Sequence, residues 1–288
     1  MLQIFSNFLT HIPFYAYLLI LTFAGCYFYR NTSHFSFTEE LTVKDNPAFG
    51  ACLTGYLIGL AIALAASFPT SAESVEDALI SMSYSGVLAI LLLRASILIN
   101  DRFILSKFSI TEEMLRDRNL GTGIAVAGGC IGTGLTLAGA LTGESDSYLL
   151  AIRDIVIYWT IGQVLFVAGA ALFFATAGYN VQASLEHDDN AATGISVGGF
   201  LVSLGIFLGA ILKNASSNIS QELIIVAVEV VIGGVILILT RFVTERLVLP
   251  RVNLDDEISV QKNAAAGLIC AASSIITAIL LAAAVVAH

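Results

Sequence analysis

The segment NPAFGACLTGYLIG, residues 46–59, opens on an asparagine, repeats glycine at Gly50, Gly55 and Gly59, and carries no charge. Its opening pattern, Asn-x-(Ala or Gly)-x-Gly, occurs four times: Asn46, Ala48, Gly50; Asn119, Gly121, Gly123; Asn190, Ala192, Gly194; and Asn263, Ala265, Gly267. Successive asparagines are 73, 71 and 73 residues apart. Near-equal spacing is the mark of one supersecondary unit repeated along a chain. Each asparagine heads a long apolar run without charge: Asn46 to Ala72, Asn119 to Gly143, Asn190 to Leu212, and Asn263 to the C-terminus. Asparagine is a favoured helix N-cap, and proline suits the first helical position, so Asn46-Pro47 reads directly as a helix start.

These runs are membrane helices. Of the 288 residues 57% are hydrophobic and only 12% charged, and mean hydropathy is +0.87; a soluble domain has about a quarter of its residues charged. A span needs roughly 20 mostly apolar residues. Four more runs qualify: about Pro13 to Phe28, Leu79 to Ile99, Ile152 to Thr176, and Leu223 to Val243. The expectation is an all-α integral membrane protein of eight transmembrane helices in four tandem hairpins. The first run has no Lys or Arg before Arg30. It therefore lacks the basic region of a cleaved signal and is expected to be retained as a span.

Loop charge orients the chain. The loops after the odd-numbered helices, with Arg94 and Arg241 at their edges, hold 11 of the 13 basic residues. Lys and Arg favour the cytoplasmic side, so both termini are expected outside. A pI near 4.8 argues against nucleic acid, since phosphate binding needs clustered Lys and Arg.

The repeat has a second level. Asn46 to Asn190 and Asn119 to Asn263 are both 144 residues, half the chain. A four-helix unit over 1–144 is expected to be duplicated over 145–288. Within the first unit, the loop Phe35 to Leu41 returns as Phe108 to Met114. Ser36 with Glu39, and Ser109 with Glu112, have capping-box spacing, which predicts a short amphipathic helix on the inner membrane face before each even span. Gly55 with Gly59, and Gly128 with Gly132, are Gly-x-x-x-Gly pairs that let helix backbones approach in lipid. The even helices should thus be the packed interior. Such faces serve equally within a chain or between copies, which leaves a homo-oligomer open. Repeats that each cross the membrane twice share one orientation, and four hairpins about an axis along the membrane normal are expected.

Taken together, these segments resemble the domain of unknown function 350, or YjfL-like, family of bacterial inner-membrane proteins. Its four-helix, Gly-rich unit carries an Asn-x-Ala-x-Gly segment after a short acidic loop. The resemblance covers the chain as two fused copies, through Ser36 to Leu60 and Ser109 to Thr133, then Ala183 to Leu208 and Asp256 to Ser273; Ala272 departs where the other copies have glycine. It implies a multi-pass protein of the bacterial cell membrane, in a family some of whose members are associated with envelope-stress gene sets, which leaves an envelope-stress or cytoplasmic protein partner open. It brings no activity and no catalytic residues.

Ionisable groups inside a membrane are costly and mark function or buried pairs. Arg94, Asp154 and Glu229 stand out. Glu229 lies about two turns inside its span on the same face as Glu222, its half-chain equivalent is Ser85 beside Tyr84, and Tyr158 follows Asp154 by one turn. One reading converges Glu229, Asp154, Tyr158, Tyr84 and Glu222 into a hydrated acidic site for a small cation, proton or polar solute. The other has Asp154 snorkelling beside Arg153, Glu229 bonded between helices, and Arg94 snorkelling to the inner boundary. The four asparagine N-caps have an anion-binding reading too, opposed by Asp45, Asp117, Asp188 and Asp189. Arg241, Arg246 and Arg251 read as topology or anionic-lipid residues. Cys26, Cys52, Cys130 and Cys270 read as small membrane packers. No catalytic, metal or dinucleotide motif is present; no enzyme activity, cofactor or metal is expected. The leading expectation is movement of a small cation or polar solute between the halves. The rival is a membrane scaffold recruiting partners through its cytoplasmic loops.

Overall fold

The computed structural model describes residues 2–68, 74–142, 147–214 and 219–287, with side chains for 11–68, 74–142, 147–214 and 224–287. In chain order the elements are α1 (Leu2–Asn31), a π-helical turn (Glu39–Val43), α2 (Pro47–Ala65), α3 (Val75–Phe103), α4 (Ile110–Leu115) and α5 (Leu120–Leu141). The second half continues with α6 (Tyr148–Thr176), α7 (Val181–Glu186), α8 (Ala191–Asn214), α9 (Ile219–Leu247), α10 (Leu254–Ser259) and α11 (Ala264–Val286). Among the described residues eight helices are long and apolar enough to cross a membrane, and the chain is a multi-pass membrane protein.

Spans α3 and α9 outrun their apolar cores by about one turn at each end, and α6 does so at its start. Polar helix termini do this: Ser74 caps α3, accepting the Asp77 amide at 3.1 Å, with Glu76 and Asp77 in the first turn. Acidic residues there complement the helix dipole, so α3 starts before the hydropathy does.

Each even span opens in the same way. The oxygens of Asn46, Asn119, Asn190 and Asn263 accept amides of the first helical turn at 2.9–3.3 Å. The residue before each asparagine, namely Asp45, Arg118, Asp189 and Lys262, has φ of 47–54°. That left-handed step closes the preceding short helix, and the asparagine amide then donates six residues back, as Asn46 does to the Glu40 carbonyl at 2.9 Å. The short helices are tucked into the protein: Ile110, Met114, Leu185, Leu254 and Ile258 are buried.

The even spans pack backbone to backbone, α2 on α5, α5 on α8, and α8 on α11. A Cβ on Gly123 would overlap Ala48, one on Gly194 would overlap Gly121, and one on Gly267 would lie 2.6 Å from the Ala192 carbonyl oxygen. Gly55, Gly59, Gly128, Gly132 and Gly139 meet the following helix in the same manner. The odd spans form a second layer: α3 packs on both α2 and α5, α6 on α5 and α8, and α9 on α8 and α11. The even helices therefore stand in a file, not around a central axis. Its ends, α2 and α11, turn exposed residues outward, including Ile58 at one end and Leu268 and Ile276 at the other.

Candidate functional site

The asparagine side chains join neighbouring repeats. Asn46 Nδ2 donates to Glu40 Oε2 at 2.9 Å and to the Met114 carbonyl, in the next repeat, at 2.8 Å. Asn119 Nδ2 repeats this with Glu113 and the Leu185 carbonyl, and Asn190 Nδ2 with Ser184 and the Ile258 carbonyl. All three asparagines are buried, whereas Asn263 is exposed. The first three caps are thus consumed inside their own repeat and the next, Asn263 bonds only within its own repeat, and the four helix starts are strung along the file. They do not converge on a common anion position.

Two of the loop carboxylates diverge electrically. Burial raises the Glu40 carboxyl, but hydrogen bonds from Lys44 and Asn46 outweigh it and hold the group below its usual range. For Glu113, burial raises the carboxyl, Asn119 opposes, and nearby Asp117, Asp189 and Glu186 push it further up. Lys44, 2.7 Å from Glu40, has Asp117 as its counterpart one repeat later.

The residues expected to form an acidic pathway lie on α3, α6 and α9. Asp154 pairs with Arg153 at 2.6 Å. Tyr158 is buried in a cluster with Ala140 and Leu212. The Tyr84 ring packs edge-on against Tyr148 at 5.6 Å. Glu229 is half-buried on α9; the Glu222 side chain lies outside the described residues. Between the halves, α5 and α8 are in backbone contact through Gly121, Gly128, Gly194 and Gly205.

A cavity of about 580 Å³ lies elsewhere, in the first half, at the end of the spans where the short helices sit. Its walls are mostly apolar, from Phe28, Ile97, Leu98 and Ile104, and its polar groups include Arg94, Asp101, Asn100 and His34. The Arg94 guanidinium sits 4.7 Å from the Tyr29 ring centre and donates from Nε to Thr32 Oγ1 at 3.1 Å. It is held by cation–π attraction and a helix-end hydroxyl, with donors left over. Behind the cavity, Asn100 donates to Thr133 at 2.9 Å and accepts from Gln163 at 2.6 Å, tying α3 to α5 and α6.

The equivalent place in the second half holds a buried arginine. A shift of 144 residues carries Ile97 to Arg241, Thr111 to Asp255, His34 to Gly178, Phe35 to Tyr179 and Tyr29 to Phe173. Arg241 is 9% exposed and ion-paired with Asp255. Its guanidinium lies 5.8 Å from both the Phe173 and Tyr179 rings. Asp255 also accepts the Gly178 amide at 3.1 Å, and a Cβ at Gly178 would overlap that carboxylate. Arg241 is therefore an internal lock and does not face lipid. Asp255 escaped the sequence reading; aligning the halves pairs it with Thr111, and that pairing was the signal.

The family follows from the whole chain. The Domain of Unknown Function (DUF350) family matches residues 2–141 and again residues 147–285. The chain belongs to the DUF350 family, as two fused copies. No curated protein and no solved structure matches it. In this DUF350 chain the two copies have parted: one keeps a chamber where the other has an arginine lock.

Proposed function

We propose that this membrane protein binds a small amphiphile bearing an anionic group in its first-half chamber, without enzymatic chemistry, as a step in moving or sensing that molecule. The single observation carrying this reading is the difference between the halves: the arginine and aspartate that fill the second-half position are Ile97 and Thr111 in the first. The volume falls within the roughly 300–1,000 Å³ of small-molecule sites, which are mostly apolar with a few polar groups. Arg94 supplies a planar, permanently charged donor suited to carboxylate or phosphate, and Asp101, seven residues on along α3, disfavours a second negative charge. The reading keeps the bacterial inner membrane as location, tandem hairpins as topology, and both termini outside, on the strength of the loop charge.

The test is thermal unfolding of the protein in neutral detergent with dodecyl phosphate, dodecylphosphocholine or dodecyltrimethylammonium. Dodecyl phosphate should raise Tm most, and Arg94→Gln should remove most of that rise. Equal shifts from all three compounds would contradict the proposal.

Conduction of a small cation by way of Glu229 and Asp154 is the second reading, favoured by the half-buried Glu229 within a span. Cation flux into proteoliposomes, lost in Glu229→Gln, would support it. The scaffold reading is weakened because Phe37 is buried against Tyr29 and Phe49, so it is not presented to a cytoplasmic or envelope-stress partner.

A further inference from the structure

The file of even helices ends on α11 with the parts of another junction in place, and begins on α2 with the matching parts. In the three internal junctions the glycine four residues after each asparagine abuts the helix before it: Gly123 on Ala48, Gly194 on Gly121, and Gly267 on Ala192. Gly50 holds the same position in α2, yet a Cβ there would meet only the Leu41 side chain, at 4.0 Å. Glycine weakens a helix relative to alanine, and nothing packed within the chain accounts for it at this point.

The other end is complementary. Ala48, Gly121 and Ala192, two residues after their asparagines, are buried by the next helix, whereas Ala265 is exposed. Gly55 and Gly128 are buried at nine residues after, and Ala272 is exposed. Asn46, Asn119 and Asn190 each donate to the carbonyl five residues before the next asparagine. Among the described residues Asn263 meets no later repeat, and in register its target would be the carbonyl of Leu41 in another copy. Because all four repeats share one orientation, a copy added at this end has the same topology in the membrane.

We propose that α11 of one copy docks on α2 of a second copy, head to tail, continuing the file as a fifth repeat. Ala265 then lies against Gly50, and Ala272 against Thr54, as Ala48 lies against Gly123 and Gly55 against Ala127. Such an interface is heterologous, so it propagates into a ring or an open row.

The full-length protein, in native membranes, carries the test. The Thr54→Cys, Ala272→Cys double variant should cross-link oxidatively into a ladder of dimers and larger species, while either single variant behaves as the native protein. In lipid nanodiscs the native protein should have a mass above one copy, and Gly50→Leu should reduce it to one copy with Tm unchanged. A monomeric native protein, a ladder from Thr54→Cys alone, or no ladder from the double variant would each overturn the proposal. If Gly50→Leu fails to fold, the cross-linking pair decides.

Discussion

Asn119 accepts an amide at its helix start, donates to the Glu113 carboxylate and donates to a carbonyl of the next repeat, all while buried. Losing such a cap costs about 1 kcal/mol, and stranding buried partners adds about 1–3 kcal/mol. Asn119→Ala should therefore destabilise the protein more than Asn263→Ala, whose side chain is exposed; denaturant unfolding in detergent gives the comparison. The loop carboxylates predict opposite pH dependences. Glu40, held low, stabilises the fold above the ordinary carboxylate range, and this is lost as pH falls through its lowered folded value. Glu113, held high, favours the fold at acid pH, and its contribution is lost as pH rises through its raised folded value. Near neutral pH, Glu113→Gln should raise Tm and Glu40→Gln should lower it, read from melting curves between about pH 4 and 8. The cap role of these asparagines is legible from Asn46-Pro47 alone. Their cross-repeat bond is not, because the acceptor is a backbone carbonyl that any residue type supplies.

At the level of elements, the even helices behave as the glycine pattern predicts. A Cβ on Gly128 would collide with the Gly198 backbone, and backbone cannot yield as a side-chain tip does. Gly128→Ala should cost about 1–3 kcal/mol or more. Gly50→Ala in the detergent-solubilised single copy should be neutral or stabilising by up to about 1 kcal/mol, which unfolding of the two variants side by side will measure. Helix number and the interior role of α5 and α8 could be read from hydropathy and glycine spacing, whereas α11, at the end of the file, is no more buried than α9. Span ends could not, since capping serines and terminal carboxylates extend a helix where apolar character stops. The loop helices were foreseen from Ser36 and Ser109, but their burial depends on apolar residues such as Ile110 and Leu254 meeting neighbouring repeats, which spacing does not reveal.

Over the whole molecule, the parallel repeats of α2, α5, α8 and α11 form a file, and the duplication lets each half be compared with the other. Asn46 and Asn190 were alignable from the start. The divergence between the halves was hidden because it lies at the span ends and in the short helices, at Ile97 against Arg241 and Thr111 against Asp255, and an arginine near a span end reads first as a topology signal. Removing one partner of a buried ion pair costs about 3 kcal/mol, so Arg241→Leu should lower stability while leaving first-half binding unchanged, as melting with and without dodecyl phosphate would register. The converse exchange is the most direct measurement: Ile97→Arg with Thr111→Asp transplants the lock into the chamber, and dodecyl phosphate binding is followed by calorimetry. A folded double variant that no longer binds is the expected result. A folded double variant that binds as the native protein does would contradict the assignment of the first-half chamber as the site.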